Sequence, residues 1–228
     1  MHIRPVQRKD LSEVATVARD AMFDDELTLF LAPYRHEHPE CLRQGFLRRA
    51  KHRYYSGHVL LAAVSDEKDS WWDGTEKILG HVSVISSKQN TESSKKPWFS
   101  WNALELRLLR VEELFLWLSH GDKSISRANM AEFARTTGDR GPLADIKDYW
   151  DVDHLSVDPS FQRRGIGSAL IEQVKDIAAL DNLPVVLVAS VKGIPMYKKA
   201  GFVDHGLINT GAGQLGQAMA WYPNDATT

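Results

Sequence analysis

Two hydrophobic periods run along the chain, and together they predict a protein built of both helices and strands. Residues 2–6 alternate between polar and apolar side chains, which predicts a short first strand. Helical spacing follows up to about Phe23, and Asp10 stands where the N-cap of that helix is expected. A second helix is predicted after Pro39. The apolar stripe of the first helix consists of Leu11, Val14, Ala15, Val17, Ala18 and Met22.

Continuous apolar runs predict further strands that are covered on both faces, at residues 59–64 and 78–85. Within the second run, Gly80 indicates a bulge or a close approach of another backbone. Between the runs, Trp71 and Trp72 form either an exposed binding platform or the packing over a hairpin end. Later strands are predicted at 148–157, 184–189, 202–205 and 217–222, with helices at 168–180 and 192–200 and a glycine-rich connection at 206–216.

The composition changes in the middle of the chain. Residues 86–97 are rich in Ser, Lys, Asn, Gln and Thr, which predicts a loop outside the core. An amphipathic helix is predicted at 98–119 and a shorter helix at 128–135, so residues from about 88 to 148 are interpreted as an insertion. The insertion either lines a substrate pocket or caps the sheet. One face of its longer helix carries Leu104, Leu108, Val111, Phe115 and Leu118.

One stretch, from Leu155 to Leu170, has the order strand, tight turn and helix. The first amides of a helix have no partner within the helix, and here they lie beside Arg163 and Arg164 at the positive end of the helix dipole. Gly165 and Gly167 leave room for an anion to approach the backbone. The stretch therefore predicts a phosphate site. The alternative is an ordinary strand-to-helix turn with a solvated arginine pair.

Charge and cysteine content exclude several classes of function. Lys and Arg number 28 against 30 Asp and Glu, so the net charge of -2 predicts neither a nucleic-acid nor a membrane partner. A single cysteine, Cys41, excludes an internal disulfide and a cysteine metal cage. No metal is expected, because His36 and His38 lack a third ligand nearby. Without a signal-like or membrane-spanning apolar run, the protein is expected to be soluble and cytoplasmic.

Two segments resemble the markers of a known family. Gln162-Arg163-Arg164-Gly165-Ile166-Gly167 resembles the Gln/Arg-x-x-Gly-x-Gly/Ala acyl-CoA signature of the GCN5-related N-acetyltransferases, or GNAT proteins. About thirty residues later, the segment from Gly193 to Phe202 resembles their second marker, a tyrosine on a short helix followed by Gly-Phe. The resemblance implies an α/β (α+β) fold with a mixed, mostly antiparallel sheet that splays open after Val157. It also implies one domain at 1–222 with the helical insertion, and a tail at 223–228.

The resemblance implies acetyl-CoA as co-substrate. Its pyrophosphate is expected on the amides of residues 163–167, and its pantetheine beside Leu155 and Val157. Ser190 stands where many GNAT proteins have Asn, so one hydrogen bond to the cofactor is expected to differ. The full set of expected cofactor-binding residues is Leu155, Ser156, Val157, Gln162, Arg163, Arg164, Gly165, Ile166, Gly167, Ser168, Ala169, Ser190 and Tyr197.

The implied reaction is direct transfer of an acetyl group to a primary amine of a small molecule or peptide. Such an amine, with a pKa of about 10.4, is mostly protonated at neutral pH and needs a base. Asp151 and Asp153 are the candidate bases, acting directly or through water, and strand alternation predicts both on the face of Leu155 and Val157, with His154 opposite. Tyr197 matches the family's general acid. The alternative function is a non-catalytic acyl-CoA-binding regulatory or interaction domain.

The acceptor is less defined by the sequence. Residues 24–26, with Asp151 and Asp153, would suit a cationic amine, and a solvated acidic surface explains the same residues equally well. The protein is expected to be a monomer or a homodimer.

Overall fold

The protein is described here by a computed structural model over residues 1–88, 100–136, 141–211 and 214–223. Its strands are β1 His2–Pro5, β2 Val59–Val64, β3 Ile78–Ser86, β4 Trp150–Val157, β5 Val185–Ala189, β6 Val203–Gly211 and β7 Gln214–Trp221. Its α-helices are α1 Leu11–Met22, α2 Glu26–Leu31, α3 Pro39–Ser56, α4 Trp101–Ser119, α5 Arg127–Thr136, α6 Ile166–Leu180 and α7 Ile194–Lys199.

The seven strands form one sheet in the order β1-β2-β3-β4-β5-β7-β6. Every neighbouring pair is antiparallel except β4 and β5, which are parallel. That parallel pair is joined at only two positions, Trp150 opposite Val185 and Asp151 opposite Val186. The sheet is therefore open beyond Asp151, and the prediction of a mixed, mostly antiparallel and splayed sheet is confirmed.

Helices cover both faces of the sheet. On one face α6 buries Leu170, Ile171 and Val174 in the largest apolar cluster, which includes residues of β2, β3, β4 and β5. On the other face α1 and α3 contribute apolar residues such as Val14 and Ala50 to a second cluster with β2. These stripes recur at helical spacing, so the sequence predicted them correctly.

Asp10 does not cap α1 as predicted. Its carboxylate accepts hydrogen bonds from Arg4 Nη1 at 2.6 Å and from the Gln7 N–H at 2.7 Å. The buried side chain therefore closes the short turn that precedes α1 and ties it to β1, because a charged partner on β1 offers a stronger bond than the helix amides.

The last two strands are longer than predicted. Residues 206–211 belong to β6 and residues 214–216 to β7, so much of the glycine-rich connection lies in the ladder. Register shifts between Asp204 and Gly206 and between Asn209 and Gly211 interrupt that ladder. Gly206 has a φ of 107°, so its flexibility serves a β-bulge rather than a loop.

The insertion packs with a different face from the one predicted. Leu104, Leu108, Val111, Phe115 and Leu118 are all exposed, whereas Leu109 is buried. Leu109 shares its face with Glu105 and Glu112, which pair with Arg8 at 2.7 Å and with Arg48 at 3.8 Å. Helix α4 therefore packs with its glutamates toward Arg8, which precedes α1, and toward Arg48 of α3. The start of the predicted helix, residues 98–99, and the loop at 89–97 lie outside the described residues.

Candidate functional site

The predicted phosphate loop joins β4 to α6. Asp158 begins it by accepting the Ser160 N–H at 2.8 Å, and Gln162 Nε2 donates to the Val157 carbonyl oxygen at 3.1 Å. Helix α6 then starts at Ile166 without a side-chain cap. The first-turn amides of α6 have no acceptor among the described groups, and the first bond of the helix is Ala169 N–H to the Gly165 carbonyl. These free donors lie at the position where the sequence predicts an anion site.

The two glycines of the loop serve different purposes. Gly165 has a φ of 82°, and a Cβ placed on it would meet nothing within 4 Å, so the space above the loop is open. A Cβ on Gly167 would lie 2.9 Å from Met196 Sδ, so this glycine is needed for packing against α7. Gly165 thus borders open space, as an approaching phosphate would require, whereas Gly167 allows α6 and α7 to pack closely.

Aromatic rings flank the same loop. The Arg164 guanidinium lies 4.8 Å from the Trp71 ring centroid and 5.5 Å from that of Phe161. Trp71 and Phe161 meet edge to face at 6.1 Å. Of the two roles considered for Trp71, the structure supports packing over the hairpin end, here against the loop arginine.

Strands β3 and β4 approach each other closely beside the opening of the sheet. A Cβ on Gly80 would lie 2.8 Å from the Ser156 carbonyl oxygen, which confirms the predicted close approach. The Ser156 side chain is buried and lies 3.1 Å from His81 Nδ1. Leu155 and Val157, in contrast, pack against the core cluster on the α6 side.

A β-bulge changes which residues share a face of β4. Val152 pairs with Val84 and His154 with Ser83, so Asp153 is an extra residue in the ladder. Paired residues point to the same face, so Asp151 lies with His154 and Ser156, and not with Leu155 and Val157 as predicted. Regular alternation failed here because the bulge shifts the period by one residue.

A pocket of about 870 Å³ lies on the His154 face. Asp153 and His154 of β4 contribute to its lining, while Asp151 does not. The rest of its wall comes from the segment around α2, from α3, and from both helices of the insertion. Of the two roles considered for the insertion, the structure therefore supports lining a pocket. Representative wall residues are Asp25, Phe46, Arg49, Trp117 and Met130.

Ion pairs tie the pocket together. Arg53 of α3 binds the Asp153 carboxylate across to β4. Arg48 binds Asp122 at 3.1 Å, which fastens α3 to the segment after α4. The α3 arginines were not predicted as site residues, although the spacing of Arg49 and Arg53, one helical turn apart, was a usable signal.

Two buried imidazoles lie behind Asp153. His81 and His154 stack with ring centroids 5.1 Å apart. Burial, together with the charge of Arg53, lowers the pKa of His81 to about 3. The pKa of His154 is also well below its usual value, first through burial and then through His81, Arg53 and Arg49. His154 Nε2 is buried without a hydrogen-bond partner among the described groups, so both rings are neutral at physiological pH.

Tyr197 and Ser190 lie near the start of α7. The Tyr197 ring packs edge to face on Phe202 at 5.6 Å, and burial raises the pKa of its phenol to about 12. Ser190 accepts the Gly193 N–H at 2.9 Å through its carbonyl oxygen. Ser190 also lines a second pocket of about 180 Å³ with residues 24–27. Tyr197 is absent from the described linings of both pockets.

The predicted acidic segment divides between the two pockets. Asp25 lines both, and its carboxylate accepts the Leu27 N–H at 3.2 Å at the start of α2. Asp24 pairs with Arg35 at 3.3 Å. Within the described ranges there is no group of three or more metal-ligating side chains. No described helix is long and apolar enough to cross a bilayer.

Known proteins are similar to this chain in the region of the β4–α6 loop and in the overall fold. Residues 135–223 match the family model of an acetyltransferase (GNAT) domain. This C-terminal part of the chain is therefore similar to a GNAT domain. The matched region contains β4, the β4–α6 loop, α6 and α7. Both sequence segments that resemble GNAT markers therefore lie within the region that the family model matches.

Individual relatives are distant. A Glycine max protein named histone acetyltransferase TAP1 is 31% identical over 109 residues, which are 46% of this chain and 41% of that protein. The matched part thus spans about two fifths of that relative. An uncharacterised N-acetyltransferase of Schizosaccharomyces pombe is 22% identical over 219 residues, 93% of this chain and 87% of its own length.

The fold as a whole also has solved counterparts. The crystal structure of "histone acetyltransferase HPA2 and related acetyltransferase" from Corynebacterium glutamicum matches with a TM-score of 0.61 at 16% identity. The match covers 99% of this chain and 98% of that one. At this identity the similarity concerns the fold alone.

Proposed function

We propose that this chain is an acetyl-CoA-dependent N-acetyltransferase that moves an acetyl group directly from the thioester to a primary amine. The observation that carries the proposal is that a loop of unpartnered backbone amides follows β4, the strand at which the sheet opens and whose bulge lines the large pocket. One end of this arrangement suits a diphosphate, and the other can enclose an amine.

The residues present fit acetyl-CoA. The amides of Ile166, Gly167 and Ser168 would hold the pyrophosphate, with Arg163 and Arg164 adding positive charge. The open space above Gly165 leaves room for it. Beyond Asp151, β4 is not paired with β5, so its backbone groups would bond the amides of the pantetheine arm as an added strand does. A bound thioester supplies an activated acyl carbon and a thiolate leaving group.

Asp153 is the proposed base. It lines the pocket, and Arg53 holds its carboxylate in place. Because an aspartate side chain is short, the proton of the substrate ammonium is expected to reach the Asp153 carboxylate through a water. Once the ammonium has lost its proton, the amine nitrogen bonds to the acyl carbon as the carbon–sulfur bond breaks. Asp151 lines neither described pocket and is the weaker of the two candidate bases.

Tyr197 is the proposed acid. With a pKa raised to about 12 by burial, its phenol keeps its proton at any pH near neutral and could donate it to the departing thiolate. The His81–His154 pair would keep the floor beneath Asp153 neutral, since burial and neighbouring arginines disfavour the charged imidazoles.

The proposal is tested by calorimetric titration with acetyl-CoA, alongside a screen for CoA release with small amines and peptides. Because two of the matched proteins are named histone acetyltransferases, lysine peptides belong in that screen. Binding with turnover is expected. Binding without turnover on any amine would favour the non-catalytic acyl-CoA-binding alternative, and no binding would overturn both.

A further inference from the structure

The large pocket is lined by an arginine, Arg49, that pairs with no carboxylate among the described residues. Arg49 of α3 forms no hydrogen bond or ion pair with the residues that the structure describes. Its guanidinium lies 4.3 Å from the centroid of the Phe46 ring. Arg49 is exposed, and its surface belongs to the pocket lining. The charge is thus available to a molecule in the pocket.

The neighbouring charges do not neutralise Arg49. Arg53, Arg48, Asp122 and Asp153 are the charged groups with the largest influence on it. The two carboxylates are already engaged, because Asp122 pairs with Arg48 and Asp153 with Arg53. Glu112 also lies 3.8 Å from Arg48, so the carboxylates near these guanidinium groups pair with Arg48 or Arg53, and no described carboxylate pairs with Arg49.

The other two acids of the lining lie elsewhere. The Asp25 carboxylate accepts the Leu27 N–H at the start of α2. Glu113 belongs to the exposed side of α4. Neither is among the groups with the largest influence on Arg49. The two remaining lining acids therefore do not pair with Arg49 either.

The exposed guanidinium of Arg49 lies close to the cations Arg53 and Arg48, which disfavour its charged form. Burial, reinforced by Arg53 and Arg48, lowers the pKa of Arg49 to about 10. The Phe46 ring compensates the charge in part through its π face. The N–H donors in the guanidinium plane still lack acceptors, and a planar carboxylate or a phosphate matches them best.

We propose that Arg49 binds an anionic group of the acceptor, so that the substrate of the proposed acetyl transfer is a small primary amine that also carries a carboxylate or a phosphate. This inference rests on the proposed function. Arg49 precedes Arg53 by one helical turn, about 6 Å along α3, and Arg53 holds the proposed base Asp153. The anion and the reacting amine should therefore be only a few bonds apart.

This assignment disfavours the cationic acceptors that the acidic segment suggested. A polyamine or a basic peptide would bring further positive charge to Arg49, and like charges in an enclosed site repel each other strongly. The acids of that segment are also partly engaged, since Asp24 pairs with Arg35 and Asp25 caps α2.

The test uses pairs of amines that differ only in the anion. They are ω-amino acids of three to five carbons against their primary amides, and aminoalkylphosphonates against the corresponding amino alcohols, with spermidine as a cationic reference. Binding to the CoA-saturated protein is followed by saturation-transfer NMR, and CoA release from acetyl-CoA is measured in parallel. The carboxylate and phosphonate arms distinguish the two anions.

The variants are Arg49→Gln, Arg49→Lys and, as a control on the same helix, Arg43→Gln, whose side chain pairs with Glu40 and does not line the pocket. Acid-bearing amines are expected to bind the unmodified protein at least ~10-fold more tightly than their neutral partners. Arg49→Gln should remove that preference, Arg49→Lys should keep part of it, and Arg43→Gln should keep all of it.

The outcomes separate the two proposals. Equal binding of acids and amides, tighter binding of spermidine, failure of every acid to bind, or an unchanged preference in Arg49→Gln would overturn the anion site. If one of these outcomes is found and CoA is still released with an amine, the proposed acetyl transfer is retained and only the anion site is rejected. Conversely, Arg49-dependent binding without any CoA release supports the anion site and counts against the transfer.

Discussion

The anion-binding loop and the large pocket flank the same strand but are built in opposite ways. The loop is a single run of residues, 158–169, whose free donors are backbone amides. The pocket draws on segments from Met22 to His154, and its polar groups are charged side chains that mostly pair with one another. A local site can be recognised from spacing, whereas an assembled site depends on which distant side chains meet.

The largest effect is expected when a side chain occupies the open space above Gly165 in the loop. Gly165→Glu places a carboxylate over the anion site and should weaken acetyl-CoA binding by ~10³-fold, because several charge-assisted bonds are lost and like charges are opposed. Calorimetry measures the affinity. Gly74→Glu is the matched control, since Gly74 also has a positive φ, 93°, with nothing within 4 Å. Unchanged affinity in a folded Gly165→Glu variant would refute the site.

Removing the proposed acid should have the next largest effect. Tyr197→Phe is expected to lower kcat by ~10²-fold with little change in the KM for acetyl-CoA, because the thiolate must leave without a proton donor. Since the pKa of Tyr197 is raised to about 12, the loss should be the same at every pH from mildly acidic to mildly alkaline. Tyr55→Phe, another buried tyrosine, should retain wild-type rates. A wild-type kcat in Tyr197→Phe would remove the residue from the mechanism.

The buried His81 should make the stability of the folded protein depend on pH. The pKa of His81 is about 3 in the folded protein against 6.5 in the unfolded chain, so the unfolded state binds the proton first as the pH falls. Stability is therefore full above pH 6.5 and declines below it, by about 2 kcal/mol on reaching about pH 5.

Urea unfolding at both pH values measures this loss. His81→Asn should reduce the difference between the two pH values, while His36→Gln, which changes an exposed histidine, should not. An equal loss in His81→Asn and the unmodified protein would contradict the lowered pKa.

The smallest expected effect distinguishes the two aspartates. Asp153→Asn should lower kcat/KM by ~10-fold, most strongly at low pH, because the base and its anchor to Arg53 are lost together. Asp151→Asn should change the rate less, since Asp151 is outside the pocket lining. Rates measured across pH for both variants decide the matter. The reverse order of effects would transfer the role of base to Asp151.

Much of the fold could be predicted because its signals are local. Apolar stripes and runs located α1, α3, β2, β3, α6 and β5 to within a few residues. Errors arose where a tertiary contact outweighed the local preference. The buried Asp10 pairs with Arg4 instead of capping α1, and α4 packs with its glutamate face toward Arg8 and Arg48.

For the proposed site, the sequence by itself determined the β4–α6 loop and its free amides, because the amides, the left-handed glycine and the helix start all lie within one short segment. Only the tertiary structure decided which residues face the pocket. The bulge at Asp153 moves Asp151 to the face of His154, and the packing of α3 brings Arg49 to the pocket that His154 lines. No sequence period encodes these choices, since both depend on chain segments roughly a hundred residues apart meeting in space.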